Sequence, residues 1–263
     1  MLRVLWVGGY FFGTLPFVIL IEFVLAMVSA RLWAAVSRGY YRSLCKAMRV
    51  RITVQGTPPS GQALIVSNHV SWADIAVFSA IAPVVFVAKR EVGTWPLIGL
   101  AARAQKTVFV DRERRHKTGD TIDEIAKRLA DGHPVVLFAE GTSSDGNRVL
   151  PFRSALVGAI DAASRNGAVT VQPAAISYTR QYGLPMGRQM RPLAAWYGDL
   201  GFFPHFAAFL RHGAVDAVVS FAEPIAADPQ ADRKTMTRAL ETRVRGLATA
   251  ARQAGIPIAT RAR

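Results

Sequence analysis

The feature that most constrains the fold of this chain is an uninterrupted apolar segment near its start. Residues 4–30 contain a single charged residue, Glu22. A helix needs about 20 apolar residues to cross the hydrocarbon core of a bilayer, and a secretory signal has an apolar region of only about 7–15. The segment therefore predicts a membrane-associated N-terminus. Because Gly13 and Pro16 interrupt the run, one spanning helix and two short helices within one leaflet both remain open, with a buried core helix as a further alternative.

The charge balance supports contact with a lipid surface. The chain has 32 Lys and Arg residues against 18 Asp and Glu residues, a formal net charge of +14. Such an excess predicts a polyanionic partner, either nucleic acid or an anionic membrane. The chain shows no recognised nucleic-acid-binding motif, so nucleic acid is not expected. By the positive-inside rule, the remainder of the chain faces the cytoplasm at the cell inner membrane, because the apolar segment is followed by Arg31, Arg38, Arg42, Lys46, Arg49 and Arg51.

After residue 50 the pattern alternates between strands and helices. Strands are predicted at residues 51–54, 63–66, 84–88, 107–110, 134–139, 169–176 and 215–221, and helices at residues 31–50, 75–81, 113–129, 152–163 and 229–254. Strands separated by helices of this length are typical of a mixed, mainly parallel sheet flanked by helices. The sequence thus predicts an α/β fold, with N-terminal membrane helices at residues 1–50 and one domain at residues 51–263.

A histidine and an aspartate lie where one predicted strand gives way to a helix. His69 follows the strand at residues 63–66, and Asp74 comes five positions later. In a continuous helix two such positions point about 140° apart, so the side chains meet only if His69 lies in the loop and Asp74 in the first helical turn. A carboxylate can then hold the imidazole in one tautomer, leaving its other nitrogen to accept a proton. An ordinary loop histidine before a helix-start aspartate is the alternative.

A glycine-containing loop follows the predicted strand at residues 134–139, with the sequence Glu140-Gly141-Thr142-Ser143. Glycine lets backbone amides approach a ligand closely, and such amides can hold an oxyanion or a phosphate. A simple polar turn before a helix is the alternative.

Two cations lie at the ends of other predicted strands, Lys89 after residues 84–88 and Arg112 after residues 107–110. A cation at the exit of a strand suits an anionic substrate, although either one alone is equally typical of a solvated surface. No metal site is expected. Cys45 is the only cysteine, and His69 with Asp74 provides too few ligands.

Taken in order, these motifs resemble the PlsC-like glycerolipid acyltransferases, the 1-acylglycerol-3-phosphate acyltransferase family. The resemblance covers residues 51–221 approximately, and blocks in the right order are far more specific than any single motif. The matching blocks are Asn68-His69 with Asp74, Lys89-Arg90-Glu91 through Asp111-Arg112, Phe138 through Ser144, and Val171-Gln172-Pro173.

The resemblance implies that an acyl group moves from an acyl-CoA or acyl-carrier-protein thioester to the hydroxyl of a lysolipid, without a further cofactor. His69 is then the general base and Asp74 orients it. No Gly-x-Ser-x-Gly elbow is present, so no covalent acyl-enzyme is expected. The acceptor expected first is 1-acylglycerol-3-phosphate, which would give phosphatidic acid. The residues implied in substrate binding are Asn68, Lys89, Arg112, Glu140, Gly141, Thr142 and Ser143.

Two departures from the family pattern concern the acceptor. The third block usually reads Phe-Pro-Glu-Gly-Thr-Arg, and here Ala139 replaces the proline and Ser143 the arginine. That arginine is expected to help hold the acceptor's phosphate, so its absence favours a phosphate-free acceptor unless Lys89, Arg112, Arg148 or Arg153 compensates. The run from Glu140 to Arg148, with Trp196-Tyr197-Gly198-Asp199 downstream, is similar to a bacterial branch that includes lyso-ornithine lipid acyltransferases. A non-catalytic protein that binds anionic membranes is the remaining alternative.

Overall fold

The N-terminal segment forms a helical hairpin in the computed structural model, which describes residues 2–110, 118–155, 169–226 and 232–254. Helix α1 (Leu2–Val28) is continuous despite Pro16, and α2 (Ala30–Ala47) follows it. The hairpin is antiparallel, because Tyr10 near the start of α1 hydrogen-bonds Ser43 near the end of α2. Helix α1 is long and apolar enough to cross a membrane. The apolar segment for which the sequence left one or two helices open is thus one long helix, and the helix predicted at residues 31–50 follows it as α2.

The body of the chain is built on a mixed, mainly parallel sheet, as predicted. Its strands are β1 (Val50–Gln55), β2 (Ala63–Ser67), β3 (Val85–Lys89), β4 (Val108–Val110), β5 (Val135–Phe138), β6 (Thr170–Gln181), β7 (Leu184–Pro185), β8 (Val215–Phe221) and β9 (Ile225–Ala226). The order is β1-β8-β6-β2-β5-β3-β4, and β7 and β9 pair with β6. Neighbouring strands on the main path are parallel except β8 and β6.

Helices cover both faces of this sheet. They are α3 (Ala73–Ile81), α4 (Ile98–Ala104), α5 (Thr118–Ala130), α6 (Phe202–His212) and α7 (Arg233–Gln253), with short 3-10 turns at Arg90–Thr94 and Arg191–Leu193. One apolar core joins α1, α2, α3 and α6 to one face of the sheet, and a second core joins α5 and α7 to the other. Most of the helix predicted at residues 152–163 lies outside the described residues.

The α1 helix packs on the body through one side only. Phe11 and Phe12 contact Phe206 of α6, with ring centroids 5.9 and 6.1 Å apart. The opposite side of α1 exposes large apolar side chains, among them Trp6 and Phe17. This exposed face is the surface expected of a helix that contacts lipid. The other exposed apolar residues of α1 are Leu2, Leu5, Leu20, Ile21, Phe23, Val24, Met27 and Val28.

The sheet register brings two loops to one edge. Ser67 at the end of β2 lies level with Phe138 at the end of β5 and with Ala174 of β6. Parallel strands that end at the same level place their following loops side by side, which is where open α/β folds bind ligands. The loop carrying His69 therefore lies beside the loop carrying Glu140.

Candidate active site

His69 and Asp74 form a direct hydrogen bond at this edge. His69 Nδ1 lies 2.8 Å from Asp74 Oδ2. His69 is in the loop between β2 and α3, and Asp74 is in the first turn of α3, so the arrangement predicted from their spacing is confirmed. The Asp74 side chain is fully buried, whereas that of His69 is 19% exposed. The pair thus has one solvent-accessible end, and that end is the imidazole.

The buried carboxylate of Asp74 is held from several directions. Its Oδ2 also accepts the backbone N–H groups of Val70 at 2.7 Å and Ser71 at 3.0 Å, and its Oδ1 accepts the hydroxyl of Tyr178 on β6 at 2.8 Å. These donors compensate for the cost of removing the carboxylate from water. Because Oδ2 is an acceptor, it selects the tautomer with hydrogen on Nδ1 and leaves Nε2 as a proton acceptor.

The ring of His69 is fixed by stacking as well. It lies over the ring of Phe138, the last residue of β5, with centroids 4.1 Å apart and planes inclined by 15°. A hydrogen bond at Nδ1 and a stacked face together leave the imidazole little rotational freedom. An immobilised base is what proton transfer in a transition state requires.

Glu140, predicted to bind substrate, supports the His69 loop. Its side chain is buried; Oε1 accepts the N–H of Leu150 at 3.0 Å, and Oε2 accepts that of His69 at a longer 3.4 Å. Burial raises the pKa of the Glu140 carboxyl to about 8, against the lowering effect of these two hydrogen bonds. Both of its oxygens thus accept backbone N–H groups of the protein, and the substrate contact predicted for Glu140 stays a prediction.

This raised pKa predicts a pH-dependent contribution to stability. The folded-state pKa of Glu140 lies above the usual 4.5, so its stabilising contribution is full below pH 4.5 and is lost as pH rises to about 8. At 1.36 kcal/mol per pKa unit the change is on the order of 5 kcal/mol. In thermal unfolding between pH 5 and 9, the Tm of the native protein relative to Glu140→Gln should fall up to about pH 8 and then level off. A Tm difference that does not vary with pH would contradict this assignment.

The side chain of Asn68 is likewise hydrogen-bonded to the protein. Its side-chain Nδ2 donates to the Ile176 carbonyl at 3.0 Å, and its Oδ1 accepts the Ile176 N–H at 2.9 Å. The amide therefore continues the pairing of β2 with β6 by one residue beyond the strand. Asn68 thus fixes the start of the His69 loop, and the substrate contact predicted for its side chain stays a prediction.

Ser143, the residue in place of the family's arginine, is also turned into the protein. Its Oγ donates to the carbonyl of Trp196, and the Trp196 N–H donates to the carbonyl of Val70 at 2.9 Å. Ser143 thereby ties the Trp196 segment to the His69 loop. Its predicted role in substrate binding stays a prediction, and the hydroxyl, which already donates to a protein carbonyl, has only its acceptor capacity left for a ligand.

The remaining predicted residues differ in their placement. The Gly141 N–H closes a turn by donating to the Phe138 carbonyl at 3.0 Å, and the substrate-binding role predicted for Gly141 stays a prediction. Thr142 is exposed beside it. Lys89 is exposed at the end of β3, two strands from β2 and thus about 10 Å away across the sheet. Arg112 lies outside the described residues, and its role stays a prediction.

Two arginines near the site carried no sequence signal. Arg191 Nη1 donates to Asn147 Oδ1 at 3.2 Å, and Arg252 Nη1 contacts the Gly146 carbonyl at 3.5 Å. Burial, then the neighbouring Arg188, lowers the pKa of Arg191, and burial, then Arg191 and Arg245, lowers that of Arg252. The cluster is thus rich in positive charge.

Gly146 connects this arginine cluster to the His69 loop. A Cβ built on Gly146 would lie 3.4 Å from Val70 Cγ1 and 3.6 Å from Arg191 Cβ. Arg191 is therefore a near neighbour of the residue that follows His69. Within the described residues, no group of three or more His, Cys, Asp or Glu side chains could hold a metal ion.

An aromatic cluster borders the site on the side of α1. Trp72 packs against Phe202 and Phe206 of α6 at 5.6 and 5.3 Å between ring centroids, and its indole N–H donates to His205 Nδ1 at 2.9 Å. Phe203 of the same helix is 67% exposed. The run at residues 202–210 therefore packs mainly into the core, with Phe206, Phe209 and Leu210 buried, and exposes Phe203.

Comparison with known proteins agrees with this architecture. A family model described as Acyltransferase matches residues 49–177. The chain is 50% identical over 212 residues to the lyso-ornithine lipid O-acyltransferase of Brucella abortus, covering 79% of each chain. It is 48% identical over 212 residues to the protein of that name from Rhizobium meliloti, covering 79% of this chain and 73% of the relative.

More distant relatives extend the comparison. The chain is 35% identical over 144 residues to the 1-acyl-sn-glycerol-3-phosphate acyltransferase of Neisseria gonorrhoeae, covering 54% of this chain and 52% of the relative. The crystal structure of PlsC, the 1-acyl-sn-glycerophosphate acyltransferase of Thermotoga maritima, shares the fold with a TM-score of 0.69 at 18% identity, over 97% of this chain and 96% of that one. The chain belongs to the PlsC-like glycerolipid acyltransferase family and is an acyltransferase.

Proposed function

We propose that this acyltransferase moves a fatty acyl group from a thioester to the hydroxyl of a lyso-ornithine lipid, with His69 as the general base. The observation that carries the chemistry is the His69–Asp74 pair, whose buried carboxylate orients an imidazole that remains accessible. The acceptor is supported by the names of the relatives at 50% and 48% identity and by Ser143 in place of the arginine expected at a phosphate.

The residues account for each step of the transfer. His69 Nε2 takes the proton of the acceptor hydroxyl as its oxygen attacks the thioester carbonyl. The resulting imidazolium is stabilised by Asp74, to which Nδ1 is hydrogen-bonded at 2.8 Å. When the tetrahedral intermediate collapses, the C–S bond breaks and the imidazolium returns the proton to the leaving thiolate. The products are an ester and a free thiol, and His69 is neutral again. General-base assistance of this kind contributes about 10²–10⁴-fold.

The headgroup chemistry of the acceptor fits the arginine cluster. An N-acylated ornithine carries a carboxylate and an ammonium group and no phosphate. Arg191 and Arg252 lie close to the His69 loop, and an arginine fork binds a carboxylate through paired N–H groups. These two arginines, with Lys89 at the end of β3 and with Arg112, are the cations proposed to hold the acceptor carboxylate and the anionic donor.

The membrane supplies the acceptor. The exposed apolar face of α1 and the net charge of +14 suit an anionic lipid surface. We place the protein at the inner membrane, with its α/β domain on the cytoplasmic side, where acyl-CoA or acyl-carrier protein provides the thioester. No metal or further cofactor takes part, and no nucleic acid is a partner.

The acceptor is tested with the purified full-length protein in a non-ionic detergent. Lyso-ornithine lipid and 1-acylglycerol-3-phosphate are offered separately, each with acyl-CoA and with acyl-carrier-protein thioester, and thiol release is followed. We expect kcat/KM to be at least about tenfold higher for lyso-ornithine lipid, because one charge-assisted hydrogen bond contributes about 1.5–3 kcal/mol. Equal or faster turnover of the phosphate-bearing acceptor would instead make this enzyme a phosphatidic-acid-forming acyltransferase.

A further inference from the structure

A groove of about 870 Å³ lies apart from the active site, between the end of α2, strand β1 and the turn after β6. Its lining includes none of residues 67–74 or 138–144. β1 is the edge strand, three strands away from β2. The α2–β1 groove is therefore a separate feature, and the acyl-transfer mechanism makes no use of it.

The rim of this groove is strongly basic. Arg42, Lys46, Arg49 and Arg51 all line it, and its lining contains no acidic residue. The Arg42 Nε donates to the carbonyl of Ala80 at 2.9 Å, and Arg51 pairs with Asp216 at 2.6 Å. Within the part of the chain that the structure describes, Lys46 and Arg49 have no acidic partner.

The local backbone is what presents Lys46 and Arg49 together. Helix α2 ends at Ala47, and Arg49 adopts a left-handed conformation, with φ of 56°, before β1 begins at Val50. A non-glycine residue in this region is uncommon. The abrupt change of direction places the cation of the last helical turn and the cation before the strand on one groove.

The floor of the groove is apolar. Cys45 and Val50 are buried there, and Ile52 and Ile81 are half-buried. A small anion such as inorganic phosphate would bind the cations, but it has no apolar part to bury against this floor. An amphiphile with an anionic headgroup and a hydrocarbon chain would use both, since each buried CH₂ favours binding.

The groove opens beside the membrane-facing helix. Arg3 at the start of α1 donates through Nη2 to the Met48 carbonyl at 2.6 Å, which ties the beginning of α1 to the chain between α2 and β1. Leu2 and Leu5 of α1 are exposed next to it. A lipid in the leaflet that α1 contacts therefore lies within reach of the groove.

We propose that the α2–β1 groove binds one anionic phospholipid, with the phosphodiester between Lys46 and Arg49 and part of a chain over the apolar floor. This lipid is neither acceptor nor product; it holds the α/β domain against the membrane. The inference rests on the membrane association in the proposed function, but not on the identity of the acceptor.

The test measures lipid binding in the absence of donor and acceptor. Full-length protein in non-ionic detergent is titrated with phosphatidylglycerol or phosphatidylcholine, and bound lipid is counted by native mass spectrometry. We expect one phosphatidylglycerol to bind at least tenfold more tightly than phosphatidylcholine, and Lys46→Glu/Arg49→Glu to weaken it at least tenfold. The matched control, Lys234→Glu/Arg238→Glu, changes two exposed cations of α7 by the same charge and should bind like the native protein.

Three outcomes would overturn the proposal. They are equal binding of the two lipids, equal weakening by both double variants, and equal affinity for short-chain and long-chain phosphatidylglycerol, which would indicate a site for a free anion. The His69→Ala protein is titrated in parallel and should bind lipid normally, so a failure of the proposed acyl transfer would leave this measurement intact. Acyl transfer by Lys46→Glu/Arg49→Glu in phosphatidylcholine micelles should equal that of the native protein, which confirms that the double variant is folded.

Discussion

Replacement of His69 by alanine is expected to lower kcat by about 10²–10⁴-fold with the fold retained. The variant removes the group that accepts the proton of the attacking hydroxyl in the proposed mechanism. It leaves the buried carboxylate of Asp74 with the N–H groups of Val70 and Ser71 and the hydroxyl of Tyr178. Steady-state release of free thiol from the donor measures the loss, and thermal unfolding measures the stability.

A matched control comes from His212, an exposed histidine at the end of α6. His212→Ala removes the same side chain away from the site and should keep kcat within about twofold of the native value, as expected for a surface substitution. If His69→Ala and His212→Ala turned over equally fast, the acyl transfer would have to proceed without a base at residue 69, and the mechanism proposed above would be wrong.

Asp74→Asn is expected to cost nearly as much activity, for a different reason. An asparagine can keep the oxygen towards His69 and the two backbone N–H groups, while its NH₂ donates to the Tyr178 oxygen in place of Oδ1. The packing is therefore preserved, and the changes are the loss of the charge and the reversal of one hydrogen bond, after which the Tyr178 hydroxyl accepts instead of donating. Without that charge the imidazolium formed in the transition state is not stabilised, and kcat should fall by about 10²–10⁴-fold.

The comparison with Asp74→Leu separates charge from structure. Leucine has a similar size but accepts no hydrogen bond, so the N–H groups of Val70 and Ser71 lose a partner that is buried in the native protein. Each orphaned donor costs about 1–3 kcal/mol of unfolding free energy. Thermal unfolding should show Asp74→Asn close to the native protein and Asp74→Leu well below it. A near-native kcat in Asp74→Asn would show that the charge of Asp74 is not needed for catalysis and that the residue has only a structural role.

Ser143 has a structural role that its position in the third sequence block does not reveal. A comparison of motifs alone treats the serine as a missing phosphate contact. In the structure its hydroxyl donates a hydrogen bond to the Trp196 carbonyl, and the Trp196 N–H donates to the carbonyl of Val70 in the His69 loop. The serine therefore has a structural role, and the cations near the site include Arg191 and Arg252, which come from distant parts of the chain, and Arg153, whose Nε donates to the Glu140 carbonyl at 3.2 Å.

The sequence by itself determined the features that depend on local spacing. Alternating strand and helix patterns predicted a mixed, mainly parallel sheet, because side-chain periodicity follows directly from backbone geometry. The spacing of His69 and Asp74 predicted their contact for the same reason, since a loop residue and a first-turn residue five positions apart are brought together by one strand–loop–helix junction. The order of the sequence blocks predicted the family that the comparisons show.

Only the tertiary structure decided which side chains at the site are held by distant parts of the chain. Tyr178 reaches Asp74 across 104 positions and Asn68 reaches Ile176 across 108, and no local pattern encodes such partners because they depend on the register of β2 and β6. The burial of Glu140 against the His69 loop and the basic groove beside Arg49 also depend on contacts between elements that are distant in sequence. Spacing along the chain specifies contacts within one element or junction, whereas contacts between elements exist only once the sheet has assembled and fixed their register.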